Sequence, residues 1–133
     1  SMSIDQLVAG CVAQIEAGHA AREHALGASR ALTRQCANSI RAAHRGEFAE
    51  AGRLLDEAGA TVAQIAAATA ARPDIRFAGY TQDALKEFAE AQLVLAFLDN
   101  RPAPTAEAIG VEAAAYLNGL AEAASELRRA ILA

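Results

Sequence analysis

From Ile4 to Arg45 the chain holds no proline, and its only glycines are Gly10, Gly18 and Gly27. Such a stretch predicts one very long helix or two nearly collinear ones, started by Ser3 or Asp5 and ended at Gly46. A second helix is expected from about Glu47 to Ala71, its apolar stripe formed by Leu54, Leu55, Val62 and Ile65. Arg72-Pro73-Asp74 stops it and opens a short extended connection. A third helix follows from roughly Phe77 to Leu98. The proline-bearing run Arg101–Thr105 reads as a stiff linker, and a last helix begins between Thr105 and Val111. That helix is still in full helical pattern at Leu132, where a natural or an artificial shortening would look alike. The sum is an all-α, antiparallel helical bundle of four to five helices with a very long first helix. No internal linker is long enough to divide residues 1–133 into two domains.

Composition sharpens this picture. Hydrophobic residues make up 53% of the 133 and aromatics only 5%, with no Trp, so Ala and Leu must fill the core. Ala is the best helix former and a poor strand residue, which excludes an all-β reading. A formal charge of −4 argues against a general polycationic nucleic-acid coat. Cys11 and Cys36 lack metal-site or disulfide spacing and read as free, largely buried thiols of a cytoplasmic protein. No run approaches a membrane span.

Candidate chemistry lies on three helices. On the third, Asp83, Glu87 and Glu90 share one stripe with Tyr80, Ala91, Val94 and Leu98, while Leu85, Ala89, Leu93 and Ala96 form a second apolar face. A helix apolar on two sides sits inside an assembly, so some of these carboxylates need a cation or a proton. On the last helix, Glu122 and Glu126 repeat the arrangement. If the two stripes face each other, Glu87, Glu90, Glu122 and Glu126 converge as oxygen donors suited to Mg²⁺ or Mn²⁺. Neither helix carries the Glu-x-x-His pair of a di-iron bundle. By spacing alone, ordinary surface glutamates on an Ala-rich helix are the commoner reading.

On the first helix, Arg30, Arg34, Arg41 and Arg45 occupy a strip about 60° wide, with His44 beside it. Between residues 22 and 53 there are six Arg and three Glu. Arg holds phosphate bidentately, so the strip is a candidate phosphodiester track, with His44 as a further phosphate contact. A solvated face, or ion pairs to the acidic remainder, are the alternatives. His19 and His24 are poorly spaced for a shared metal and read as surface residues.

Three strings together resemble the translin family, in its prokaryotic Trax-like branch. They are Arg22-Glu23-His24-Ala25-Leu26 with Ser29-Arg30, Thr33-Arg34 and Ile40 to Gly46; Gly79 to Ala91; and Tyr116-Leu117-Asn118-Gly119-Leu120-Ala121-Glu122 with Glu126-Leu127-Arg128-Arg129. The resemblance implies a curved all-α subunit that binds single-stranded RNA or DNA, assembles into closed octamers and, in Trax-type members, cleaves RNA with Mg²⁺ held by acidic side chains. It assigns Glu87, Glu90, Glu122 and Glu126 to metal binding and catalysis. It also implies further helices after this point. Glu122 stands where the family usually has Asp, and Ser125 where it has Gly. The expected function is therefore a Mg²⁺-dependent (or Mn²⁺-dependent) endoribonuclease on single strands, in a homo-oligomer. The alternatives are a non-catalytic RNA- or DNA-binding subunit and a structural oligomerisation domain.

Overall fold

The computed structural model describes Ser1–Ala133. The chain is 83% helical and has no strand. Helix α1 runs unbroken from Ile4 to His44, 41 residues. Ser3 Oγ accepts from the Gln6 amide at 3.2 Å and Gln6 Oε1 accepts from the Ser3 amide at 2.8 Å, closing a reciprocal cap. At the far end Gly46 takes φ +75°, a left-handed turn that Gly adopts without strain. Helix α2 (Phe48–Thr69) then folds back along α1. Ser39 Oγ donates to the Ala51 carbonyl and Thr61 Oγ1 to Gln35, pairings whose order fixes the antiparallel sense.

The sequence predicts an extended connection after Arg72; a single helical turn, α3 (Pro73–Arg76), is found there. Proline is well placed at the first helical position because the N–H it lacks would have no partner there. The carbonyls of Ile75 and Arg76 accept from Thr81 Oγ1 and Gln82 Nε2, which locks this turn onto α4 (Gly79–Leu98). Beyond α4, Thr105 caps a second one-turn helix, α5 (Ala106–Ile109), and Gly110 at φ +74° ends it. The last helix, α6 (Ala113–Leu132), thus begins just past the expected window, because Gly110 breaks the pattern first.

The return segment between α4 and α6 brings the chain back to the start of α4. Arg76 binds Glu112, and Tyr116 Oη donates to the Pro104 carbonyl at 2.8 Å. Consequently α6 runs alongside α4 in the same direction. Helix α4 is central: it packs on α1, α2 and α6, whereas α1 and α6 scarcely touch each other. Leu85, Phe88, Ala89, Leu93 and Val94 of α4 are buried with Leu32, Cys36, Leu55 and Ile65. Both apolar faces of α4 are therefore used within the chain.

Of the eleven large apolar side chains left uncovered, six lie between Met2 and Ile15. Ile4, Leu7, Val8, Val12 and Ile15 are 45–77% exposed along the first third of α1, which extends past the other helices. Cys11 on this segment is exposed, contrary to the expected buried thiol; only Cys36 is buried. No helix is long and apolar enough to cross a membrane.

Candidate metal and nucleic-acid site

Gly119 sets the geometry of the site. A Cβ at this position would lie 2.7 Å from the Lys86 carbonyl oxygen, 2.8 Å from Ala89 Cβ and 3.0 Å from the Glu90 amide nitrogen. Only glycine lets the backbones of α4 and α6 approach this closely. One helical turn on, Glu122 meets Glu87 and Glu90, which are themselves one turn apart on α4. Each of the three offers a carboxylate oxygen, and these oxygens lie within 4.8 Å of one another.

The cluster is graded in burial. Glu90 is only 7% exposed, while Glu87 and Glu122 reach solvent. Three adjacent negative charges cannot coexist in such a place, and the protein avoids this in two ways. Burial foremost, then the charge of Glu87 and hydrogen bonding with Glu122 and Glu87, pushes the Glu90 carboxyl up to about 8, towards its protonated form. Lys86, the chain's only lysine, places Nζ 2.9 Å from Glu122 Oε1 and 4.0 Å from Glu87 Oε1. Its ammonium is the main reason the Glu122 carboxyl lies below its usual value. The Cys36 thiol, pushed far up by burial and then by Glu87 and Glu90, is an uncharged floor beneath the cluster.

This donor set fits a hard divalent cation. Three converging carboxylates, one of them buried, match the oxygen ligation of Mg²⁺ and Mn²⁺.

Glu126 is outside that cluster. His44 Nε2 lies 2.9 Å from Glu126 Oε1, and Arg129 binds the other oxygen; the guanidinium foremost holds the carboxyl below its ordinary value. This pair bridges α1 to α6 across α4. His44 is thus engaged with a carboxylate rather than standing open beside the arginines.

Arg30, Arg34 and Arg41 are exposed on α1, with Arg41 donating to Asn38; Arg45 is held by Glu47 at 3.0 Å. Counted at 100° per residue, the strip is centred about 140° around α1 from the buried Ser29 and Cys36, so it faces solvent and does not point at the carboxylates. His19 and His24 are exposed, as expected. Lys86 and Gly119 are the site residues that sequence reasoning missed. A lone lysine next to an acidic pair, and the glycine one turn before Glu122, were the available signals.

The Glu90 proton has a measurable consequence. Between its ordinary value of 4.5 and about 8 the folded chain keeps a proton that the unfolded chain releases. Stability in EDTA therefore falls as pH rises through this window, and Glu90→Gln removes that fall. Thermal melts from pH 5 to 9 should show the wild type losing Tm relative to the variant, by roughly 1–3 kcal/mol of stability at the alkaline end. Parallel curves would mean that Glu90 is ionised at neutral pH.

The fold superposes on the crystal structure of apo-NeC3PO with a TM-score of 0.84 and 18% sequence identity, over 98% of this chain and 68% of that one. No protein-family model and no curated protein matches the chain. At this identity the likeness is one of fold, and it agrees with the translin-like helical architecture expected from the sequence.

Proposed function

We propose that the protein is a metal-dependent endoribonuclease of the Trax-like kind, binding single-stranded RNA in the trough that α1 and α6 form over α4. The observation that carries this reading is the convergence of Glu87, Glu90 and Glu122 from two helices, their oxygens within 4.8 Å of one another. Single-stranded DNA fits the same phosphate contacts. A bound Mg²⁺ or Mn²⁺ supplies Lewis acidity and charge neutralisation at the scissile phosphate.

The chain's own groups have distinct tasks in this reading. Glu87, Glu90 and Glu122 would hold the cation, Glu90 as the carboxylate with its proton released to solvent. Glu126, fixed by His44 and Arg129, orients solvent at the edge of the cluster. Arg30, Arg34 and Arg41 bind the backbone with little base selectivity, and Arg45 closes that track at the α1–α2 turn. The uncovered apolar stripe from Ile4 to Ile15 supports self-association into a homo-oligomer.

A labelled single-stranded RNA incubated with Mg²⁺ or EDTA tests the reading. Cutting in Mg²⁺ that stops in EDTA is expected; binding without cutting would favour the non-catalytic subunit.

Lys86 gives a second prediction. Its ammonium stands where it repels an incoming cation, so Lys86→Gln should tighten Mn²⁺ binding by about tenfold, and Lys86→Arg should leave it unchanged. Isothermal titration of Mn²⁺ reads this directly. Weaker binding in the glutamine variant would show that Lys86 organises the ligands rather than competing for them.

A further inference from the structure

A groove of about 340 Å³ lies between α1 and the first turn of α4, lined by Leu26, Ser29, Arg30, Thr33 and Tyr80. Its floor carries an unusual group. Ser29 is 3% exposed, yet its Oγ has no hydrogen-bond partner. Serine within a helix usually returns its hydroxyl to the carbonyl four residues earlier, as a threonine does at Thr69–Ile65 in α2. A buried hydroxyl left unpaired is unfavourable, and a ligand that pairs with it would relieve that cost.

The other walls define that ligand. Tyr80 supplies an aromatic face and Leu26 an aliphatic one, so the interior suits a flat ring. Thr33 adds a second hydroxyl, and Arg30 stands exposed at the rim with an always-charged fork for phosphate. A flat, polar-edged ring joined to a phosphate is a nucleotide. Position agrees with this: Ser29 precedes Cys36 by seven residues on α1, and Tyr80 precedes Glu87 by seven on α4. Seven residues are two turns, about 10 Å, on the same side of each helix. The groove and the carboxylate cluster thus lie along one seam, within reach of neighbouring nucleotides on a single strand.

We propose that this groove is a nucleobase subsite: a base stacks on Tyr80, its polar edge pairs with Ser29 Oγ, and Arg30 holds the adjoining phosphate. The proposal rests on the reading of the trough as a single-strand path, and the test separates the two. Fluorescence anisotropy in EDTA compares a labelled oligouridylate of about eight nucleotides with an abasic strand of equal length. Tyr80→Ala should weaken the oligouridylate by about tenfold and leave the abasic strand unchanged, while Tyr80→Phe keeps wild-type affinity for both. Ser29→Ala should weaken only the base-bearing strand, by about threefold. Equal loss on both strands, or no loss on either, overturns the subsite while leaving the single-strand path standing. Failure of the wild type to bind either strand overturns both. Should Tyr80→Ala misfold, photocrosslinking of 5-iodouridine RNA to the wild type decides: adducts on Tyr80 support the subsite, and adducts confined to other peptides overturn it.

Discussion

Replacing Glu87 and Glu90 together by Gln is expected to abolish metal-dependent RNA cleavage while leaving RNA binding intact or tighter. Gln keeps the volume and the hydrogen-bonding ends of Glu, so the packing of α4 between α1 and α6 is preserved. It removes the charge that attracts the cation. Glu122 is left alone with Lys86, whose ammonium at 2.9 Å already neutralises it. One carboxylate satisfied by an ammonium has little left to offer a divalent ion, so activity should fall to below about one hundredth of wild type. Binding responds oppositely: two fewer carboxyl groups line the trough, which lowers repulsion of phosphate. A labelled single strand read on a gel for cutting, and by anisotropy for affinity, measures both at once. Unchanged cleavage by a purified double variant would remove the carboxylate cluster from the chemistry.

Gly119→Val should produce the largest structural effect of any single substitution at the site. The added atoms meet the Lys86 carbonyl and the Glu90 amide, which belong to the central helix and cannot rotate away as a flexible side chain would. Helix α6 must shift outward or tilt. We expect a loss of about 3 kcal/mol, seen as a Tm lower by about 10 °C. The displacement also carries Glu122, one turn away, out of reach of Glu87 and Glu90, so the folded fraction should lose Mn²⁺ binding. A Tm within about 2 °C of wild type, with Mn²⁺ affinity retained, would show that α6 accommodates the side chain and that the close contact is not what assembles the site.

Much of the architecture was legible from local rules. Absence of proline over 40 residues, a Ser3 cap and a left-handed Gly46 define α1 without reference to anything distant. The two one-turn helices were not legible, because α3 exists through bonds from Thr81 and Gln82 that belong to the next helix. The same division holds at the site. Glu87 and Glu90 share a stripe by spacing alone, and two apolar faces on one helix required some of that stripe to be enclosed. Which acid joins them from α6 depends on where that helix meets α4, and spacing treats Glu122 and Glu126 as equivalent. The Gly119 contact places Glu122 in the cluster, and the His44 bridge takes Glu126 out of it.

The four long helices, the Ala-rich core, the acidic pair on α4 and the arginine strip on α1 are local properties of the chain, since all of these follow from neighbours within one or two turns. It took the packing of distant segments to run α6 beside α4 in the same direction, to set Lys86 against Glu122 with Glu90 buried beside them, and to bring Ser29 and Tyr80 to one groove. Those features join residues that are 29 to 51 positions apart. Their separation in space depends on how closely two backbones can approach, and no local pattern encodes that distance.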